Sequence, residues 1–266
     1  MLRTKKTPKS RWMLITVVFL GFIILLIAGV LLVRVMVIFS HSHYDGHHEL
    51  IVEITRSSRT AAVIAFSPDV HTASVLWIET QNVNIPYLEK QLQIPFDAIA
   101  ISQSNTLSLK QLVSDLFFHN LKSHTTLTLI DAFNLLVYTY SLPASSISQE
   151  EINLDKENLP NHALGQLFID HALYNEASSV SIVNATGVSG VGNTIAKVLT
   201  NIGANVIAVN TSNKIEKSSK ITFAGKKQYS QTRISDILGI PLSTFPTPSL
   251  SDIMVIIGRD KVNDFR

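Results

Sequence analysis

Residues 41–48 read HSHYDGHH, so His41, His43, Asp45, His47 and His48 put four imidazoles and a carboxylate within eight positions. Such donors suit borderline metals such as zinc, copper or nickel. Structural sites draw their ligands from separated elements, however, and the tract reads as a polar linker with no metal expected. A second motif is the turn Asn184-Ala185-Thr186-Gly187-Val188-Ser189-Gly190-Val191-Gly192. A glycine-rich turn opening a helix offers backbone N–H groups to an anion, which makes Asn184, Thr186, Gly187, Ser189 and Gly190 candidate ligand contacts. Its spacing is GxxGxG, not the GxGxxG of dinucleotide sites. The strand after it ends in Asn210 where such sites carry an acid, and the 88 residues from Ser179 to Arg266 are too few for a full Rossmann sheet. The competing reading is a tight strand-to-helix turn with Ser189 as N-cap. The G-x-S-G within it lacks the last glycine of a nucleophile elbow, and the last histidine, His171, precedes it, so no serine-hydrolase triad is expected. Lys214, Lys217, Lys220, Lys226 and Lys227 form a basic run that reads as a solvated face able to attract an anionic polymer. No catalytic residue is assigned.

The elements that must position these groups begin with an apolar run. Trp12 to Val33 is 22 residues without a charge, roughly 33 Å as a helix and enough to cross a hydrocarbon core of roughly 30 Å. Five basic residues precede it, which by the positive-inside rule sets the N-terminus in the cytoplasm and the rest outside. A cleaved signal peptide would have a shorter apolar region, so an uncleaved anchor is expected. From Leu50 the pattern predicts strands: LIVEI, then AAVIAF and ASVLWI as a hairpin, then FDAIAIS. Leu107–Phe118, with Ser108 as a possible N-cap, and Leu127–Leu142 have helical spacing. The stretch from 143 to 162 is polar, bracketed by Pro143 and Pro160, and reads as a linker; a helix is expected from Leu164 to Glu176. The last segment reads as strand (Ser179–Val183), helix (Gly190–Ile202, stopped by Gly203), strands (Asn205–Val209 and Lys220–Phe223), helix (Lys227–Leu238, stopped by Gly239) and a buried strand (Asp252–Gly258). That βαββαβ order suggests a two-layer unit of ferredoxin-like type.

Composition narrows the function. With 266 residues, 46% apolar and 16% charged, the chain can bury ample core. It has no cysteine, which excludes disulfides, thiolate zinc sites and a thiol nucleophile. Residues 1–40 hold six basic side chains and no acid, leaving 16 basic against 20 acidic beyond them. The body is therefore net acidic, and nucleic acid is not an expected partner.

The stretches VSIVNATGVSGVGN and TIAKVLTNIGANVIAV, with the closing DIMVIIGRD and its Gly258-x-Asp260 ending, resemble the LytR C-terminal domain over about 179–260. That resemblance implies a bacterial envelope context and brings no established catalytic residues. Residues 50–142 resemble a degenerate LytR-CpsA-Psr unit: Arg56-Ser57-Ser58-Arg59-Thr60, the hairpin AAVIAFSPDVHTASVLWI, and Asn84-Ile85-Pro86 match its opening. Members of that family transfer polyprenyl-pyrophosphate-linked glycopolymers to the cell wall. Here Ser58 or Arg59 occupies the place of the family's acid, and Glu79-Thr80-Gln81 replaces its Pro-Arg-Asp motif. Only Arg56 and Arg59 remain as arginines between residues 49 and 142, whereas a pyrophosphate and its magnesium need several arginines and carboxylates.

The expected organisation is an α/β chain: cytoplasmic tail 1–11, transmembrane helix 12–39 partnered by the bilayer, His-rich linker 40–49, degenerate LytR-CpsA-Psr-like domain 50–142, linker and connecting helix 143–178, and LytR C-terminal domain 179–266. The resemblance implies a single-pass, extracytoplasmic and non-enzymatic envelope protein without cofactor, binding or scaffolding wall glycopolymers or envelope proteins. The alternative is an active phosphotransferase in which Arg56 and Arg59 hold a pyrophosphate with magnesium.

Overall fold

The computed structural model describes residues 9–40, 42–57, 60–80, 85–102, 106–119, 125–155, 166–223, 226, 228–243 and 251–265. Ser58, Arg59, Gln81, Asn84 and His41 lie outside the described residues, as do most of the basic N-terminal tail and residues 156–165. The chain divides into two units, 1–42 and 43–266. The first is one helix, α1 (Lys9–Ser40), apolar on every side, which is the pattern of a helix that meets lipid all round. It is long and apolar enough to cross a membrane.

In the second unit, β1 (Leu50–Ser57), β2 (Thr60–Ser67) and β3 (Thr72–Glu79) form an antiparallel meander. Strand β4 (Ala98–Ile101) joins β1 in parallel, and β5 (Ile147–Asn153) joins β3 in parallel, giving the order β4-β1-β2-β3-β5. The central strand β2 is buried on both faces, which explains its unbroken apolar run. On one face Val52, Ile54, Ala62, Ile64 and Phe66 pack with α3 (Leu109–His119) and α4 (Leu129–Ser141). On the other, Ile51, Ala61, Val63, Leu76 and Ile78 share a core with α2 (Ile85–Leu92), a helix not expected from the sequence, and with the C-terminal elements. Segment 147–153, read from its composition as linker, is a correction. Its side chains are mostly exposed, but its backbone completes the edge of the sheet through β3.

The C-terminal part runs α5 (His171–Glu176), β6 (Ser179–Asn184), α6 (Val191–Asn201), β7 (Asn205–Thr211), β8 (Lys220–Phe223), α7 (Tyr229–Leu238), β9 (Leu242–Ser243), β10 (Ile253–Ile257) and α8 (Val262–Phe265). The expected βαββαβ order holds with the short β9 added. The connectivity, however, is not ferredoxin-like: the order is β7-β6-β10-β8-β9, with β6 parallel to both β7 and β10. Helix α6 crosses directly between the neighbouring parallel strands β6 and β7, and β8 pairs antiparallel only with β10. The helix expected from Leu164 to Glu176 is broken: Gln166 and Leu167 are helical, the chain leaves the helix over 168–170, and it restarts as α5 at His171, where Asp170 accepts from Leu173 N at 3.0 Å and caps it.

One charge interrupts the sheet. Glu53 on β1 is fully buried, its Oε1 accepting from Thr55 Oγ1 at 2.9 Å while Oε2 has no partner. Burial pushes its carboxyl up to about 7. The folded state therefore holds a proton that the unfolded chain releases near pH 4.5, and stability falls as pH rises through that window. Glu53→Gln is expected to match the wild type at pH 4 and exceed it at pH 8 by on the order of 3 kcal/mol, measured by denaturant unfolding.

Candidate functional site

Helix α7 carries an apolar stripe, Ile234, Ile237 and Leu238, and a charge sits on it. Arg233 is 9% exposed. Its Nη1 and Nη2 donate to Asp97 Oδ1 and Oδ2 at 2.5 and 2.9 Å, and its Nε donates to Asp170 Oδ2 at 3.1 Å. Asp97 also accepts from Ile51 N at 2.8 Å, so it ties the start of β1 to the arginine. Asp170 takes Tyr229 Oη at 2.6 Å besides capping α5. Burial alone lowers the Arg233 pKa, and the Asp97 carboxylate, with Tyr229 and Asp170, more than reverses it. Burial, then Asp170, raises the Tyr229 hydroxyl. From the other end of α5, Glu176 accepts from Tyr229 N at 3.0 Å and Ser230 N at 2.8 Å, satisfying the first turn of α7. Its carboxyl stays below the usual range: burial pushes upward, but these bonds and that from Ser230 Oγ outweigh it.

A cavity of about 640 Å³ opens beside this cluster. Its wall includes the His-rich tract, which is not a free linker where it is described. His43 N and Tyr44 N donate to the buried Asp131 on α4 at 3.0 and 2.9 Å. Asp45 pairs with His48, whose ring stacks on Tyr229 with centroids 4.2 Å apart and planes 8° apart. Glu49, next in the chain, is 5% exposed and lines the cavity. Burial and then Asp170 push its carboxyl well above the usual range, opposed by Arg233, with Asp97 and Asp69 adding to the rise. Among the described residues no group of three or more His, Asp or Glu is arranged to hold a metal ion.

The candidates from the sequence fall in two separate places. Asn184, Thr186, Gly187, Ser189 and Gly190 lie together at the end of β6, where the turn is closed on itself. Asn184 Oδ1 accepts from Thr186 N and Oγ1 at 3.1 and 2.6 Å, and its Nδ2 donates to Val188 O at 2.8 Å. Gly187 and Gly190 adopt φ of 77° and 90°, where a side chain is strained. The N-cap is Gly190, not Ser189: no side chain caps α6, and Ser189 is exposed. Arg56 lies on β1 in the other sheet, stacked 4.9 Å over the Trp77 ring in a cavity of about 300 Å³ shared with Glu79 and Glu151. Burial lowers the Arg56 pKa. Arg59 lies outside the described residues.

The closing Gly258-x-Asp260 also has a local physical reason. Asp260 accepts from Ser219 N and Oγ at 3.0 and 2.7 Å, and Ser219 Oγ in turn accepts from Gly258 N at 2.8 Å. A Cβ on Gly258 would meet the Ser218 backbone at 2.6–2.9 Å. This strap and the Asn184 turn lie within a span, 177–260, that matches the family model described as LytR cell envelope-related transcriptional attenuator. That segment is a LytR C-terminal domain. It starts at Ala177, the left-handed cap of α5, and ends at Asp260. The domain marks the chain as a cell envelope-related protein. No curated protein and no solved structure matches the chain significantly.

Sequence reasoning missed Arg233, Asp97, Asp170 and Glu49. The one local signal was an arginine on the buried stripe of α7. Arg233→Met, which leaves two carboxylates without their cation, is expected to cost about 3–5 kcal/mol, with part recovered on adding Asp97→Asn, by denaturant unfolding. Gly258→Ala is expected to cost roughly 1–3 kcal/mol by the same measurement, because backbone rather than a pliable side chain must move.

Proposed function

We propose that this chain is a membrane-anchored, extracytoplasmic and non-enzymatic envelope protein that binds or scaffolds wall glycopolymers or wall-assembly proteins. The apolar helix α1 and the LytR C-terminal domain support the envelope setting. The five basic residues before the apolar run support a cytoplasmic N-terminus. The observation that carries the non-enzymatic reading is the company of Arg56. It lies over Trp77 in a cavity whose other charges, among the described residues, are Glu79 and Glu151. A pyrophosphate entering there would meet a single described arginine, too little positive charge for such a dianion, beside two carboxylates. No cofactor belongs to this reading; magnesium enters only with the phosphotransferase alternative. Asn184 and Thr186 spend their polar side-chain atoms on closing their own turn, which favours a structural role, and the wall polymer is then met by other surfaces, such as the one bearing Lys214, Lys217 and Lys220.

The full chain in nanodiscs should co-sediment with purified cell walls, and Arg56→Ala with Arg59→Ala should leave that retention unchanged. Titration with a short polyprenyl pyrophosphate is expected to show no magnesium-dependent binding. Magnesium-dependent binding abolished by the two substitutions would replace this reading with the phosphotransferase.

A further inference from the structure

The cavity beside Arg233 contains a group that the folded chain leaves unanswered. Glu49 is 5% exposed, its Oε2 takes only a long bond from Ser67 Oγ at 3.4 Å, and its Oε1 has no hydrogen-bond partner. A buried polar oxygen without a donor is costly, and here it borders about 640 Å³ of open space. The other charges around that space set the sign of what would fit. Among the described residues Glu89, Asp236 and Asp45, the last paired with His48, line it with Glu49, and His43 also faces it. The one arginine, Arg233, already directs donors to Asp97 and Asp170. An anion would therefore face a surplus of carboxylates, whereas a cation would find acceptors at the floor and the rim, with the Phe96 ring alongside. The free acceptor is a single oxygen, which suits a point donor with three rotatable hydrogens better than the planar fork of a guanidinium.

We infer that this cavity binds a ligand through a primary ammonium group, with Glu49 as the buried acceptor and Asp236 and Glu89 as rim charges. The inference stands apart from the polymer-scaffold reading, since it needs only this cavity. Burial, then Asp170, with Asp97 and Asp69, pushes the Glu49 carboxyl up against the opposing pull of Arg233. An ammonium supplies the charge that lets it ionise. Two sources of this chemistry are natural candidates, an amino sugar and an alkyl amine such as a dibasic amino-acid side chain.

The test is calorimetric titration of the full-length chain in nanodiscs with glucosamine, with cadaverine, and with N-acetylglucosamine as a twin that lacks the charge. Binding of glucosamine or cadaverine but not of N-acetylglucosamine is expected, and which amine binds tells the sugar source from the alkyl one. Glu49→Gln, which preserves shape and folds without an ionisable group, should weaken that binding about ten- to hundredfold. Asp236→Asn, at the exposed rim, should weaken it less. The inference is overturned if neither amine binds, if N-acetylglucosamine binds as well as glucosamine, or if Glu49→Gln binds as tightly as the wild type while its thermal unfolding shows a folded chain.

Discussion

One guanidinium holds the two halves of the body in register. Arg233 comes from the LytR C-terminal domain, Asp97 from the entry to β4 in the first sheet, and Asp170 from the segment that joins them. Removing two carboxylates and a cation from water is expensive, so the arrangement holds only because each charge has directional partners. Asp97 is braced by the Ile51 amide and Asp170 by the α5 amide and the Tyr229 hydroxyl. The apolar packing around it is not specific in the same way. Ile51, Val63 and Leu76 would bury against many greasy surfaces, and the bidentate arginine selects one. Helix α5 extends this control, since its two ends reach Arg233 and the first turn of α7.

Much of the fold was legible locally. The run AAVIAF announced a strand buried on both faces, and β2 is that strand. Helices α6 and α7 followed from apolar spacing and from Gly203 and Gly239, which take up positive φ of 94° and 57°. What was not legible depends on partners distant in sequence. β5, ISQEEIN, has the composition of a loop, because an edge strand with solvent on its sides needs only backbone bonds to β3. The strand order of the second sheet is set by which edges meet, and no local pattern encodes that. The glycine turn was located correctly, but its cap was assigned to Ser189 because N-cap preference points to a hydroxyl, whereas the cap position takes up a left-handed φ of 90° that favours Gly190.

The candidate site divides the same way. Arg56 and the Asn184 turn carried visible motifs, and the structure gives each a nearby occupation, a tryptophan face and a self-closed turn. The cavity with Glu49 carried none. Glu49 reads in sequence as the polar end of a linker, and it becomes unusual only when residues from four separate stretches enclose it. Local motifs report local chemistry, and an enclosure built from remote segments has no signature along the chain.

The two residues that form the bidentate pair lie 136 positions apart. During synthesis the first four strands are complete long before α7 exists. The face of the first sheet bearing Ile51, Ala61, Val63 and Leu76 must therefore wait for most of the chain before its final cover arrives. For that interval the nascent protein presents a wet apolar sheet, the kind of surface that chaperones hold and that neighbouring chains adhere to. Late closure makes the maturation of this protein dependent on completion of its C-terminal third, so a truncated product would be a sticky one.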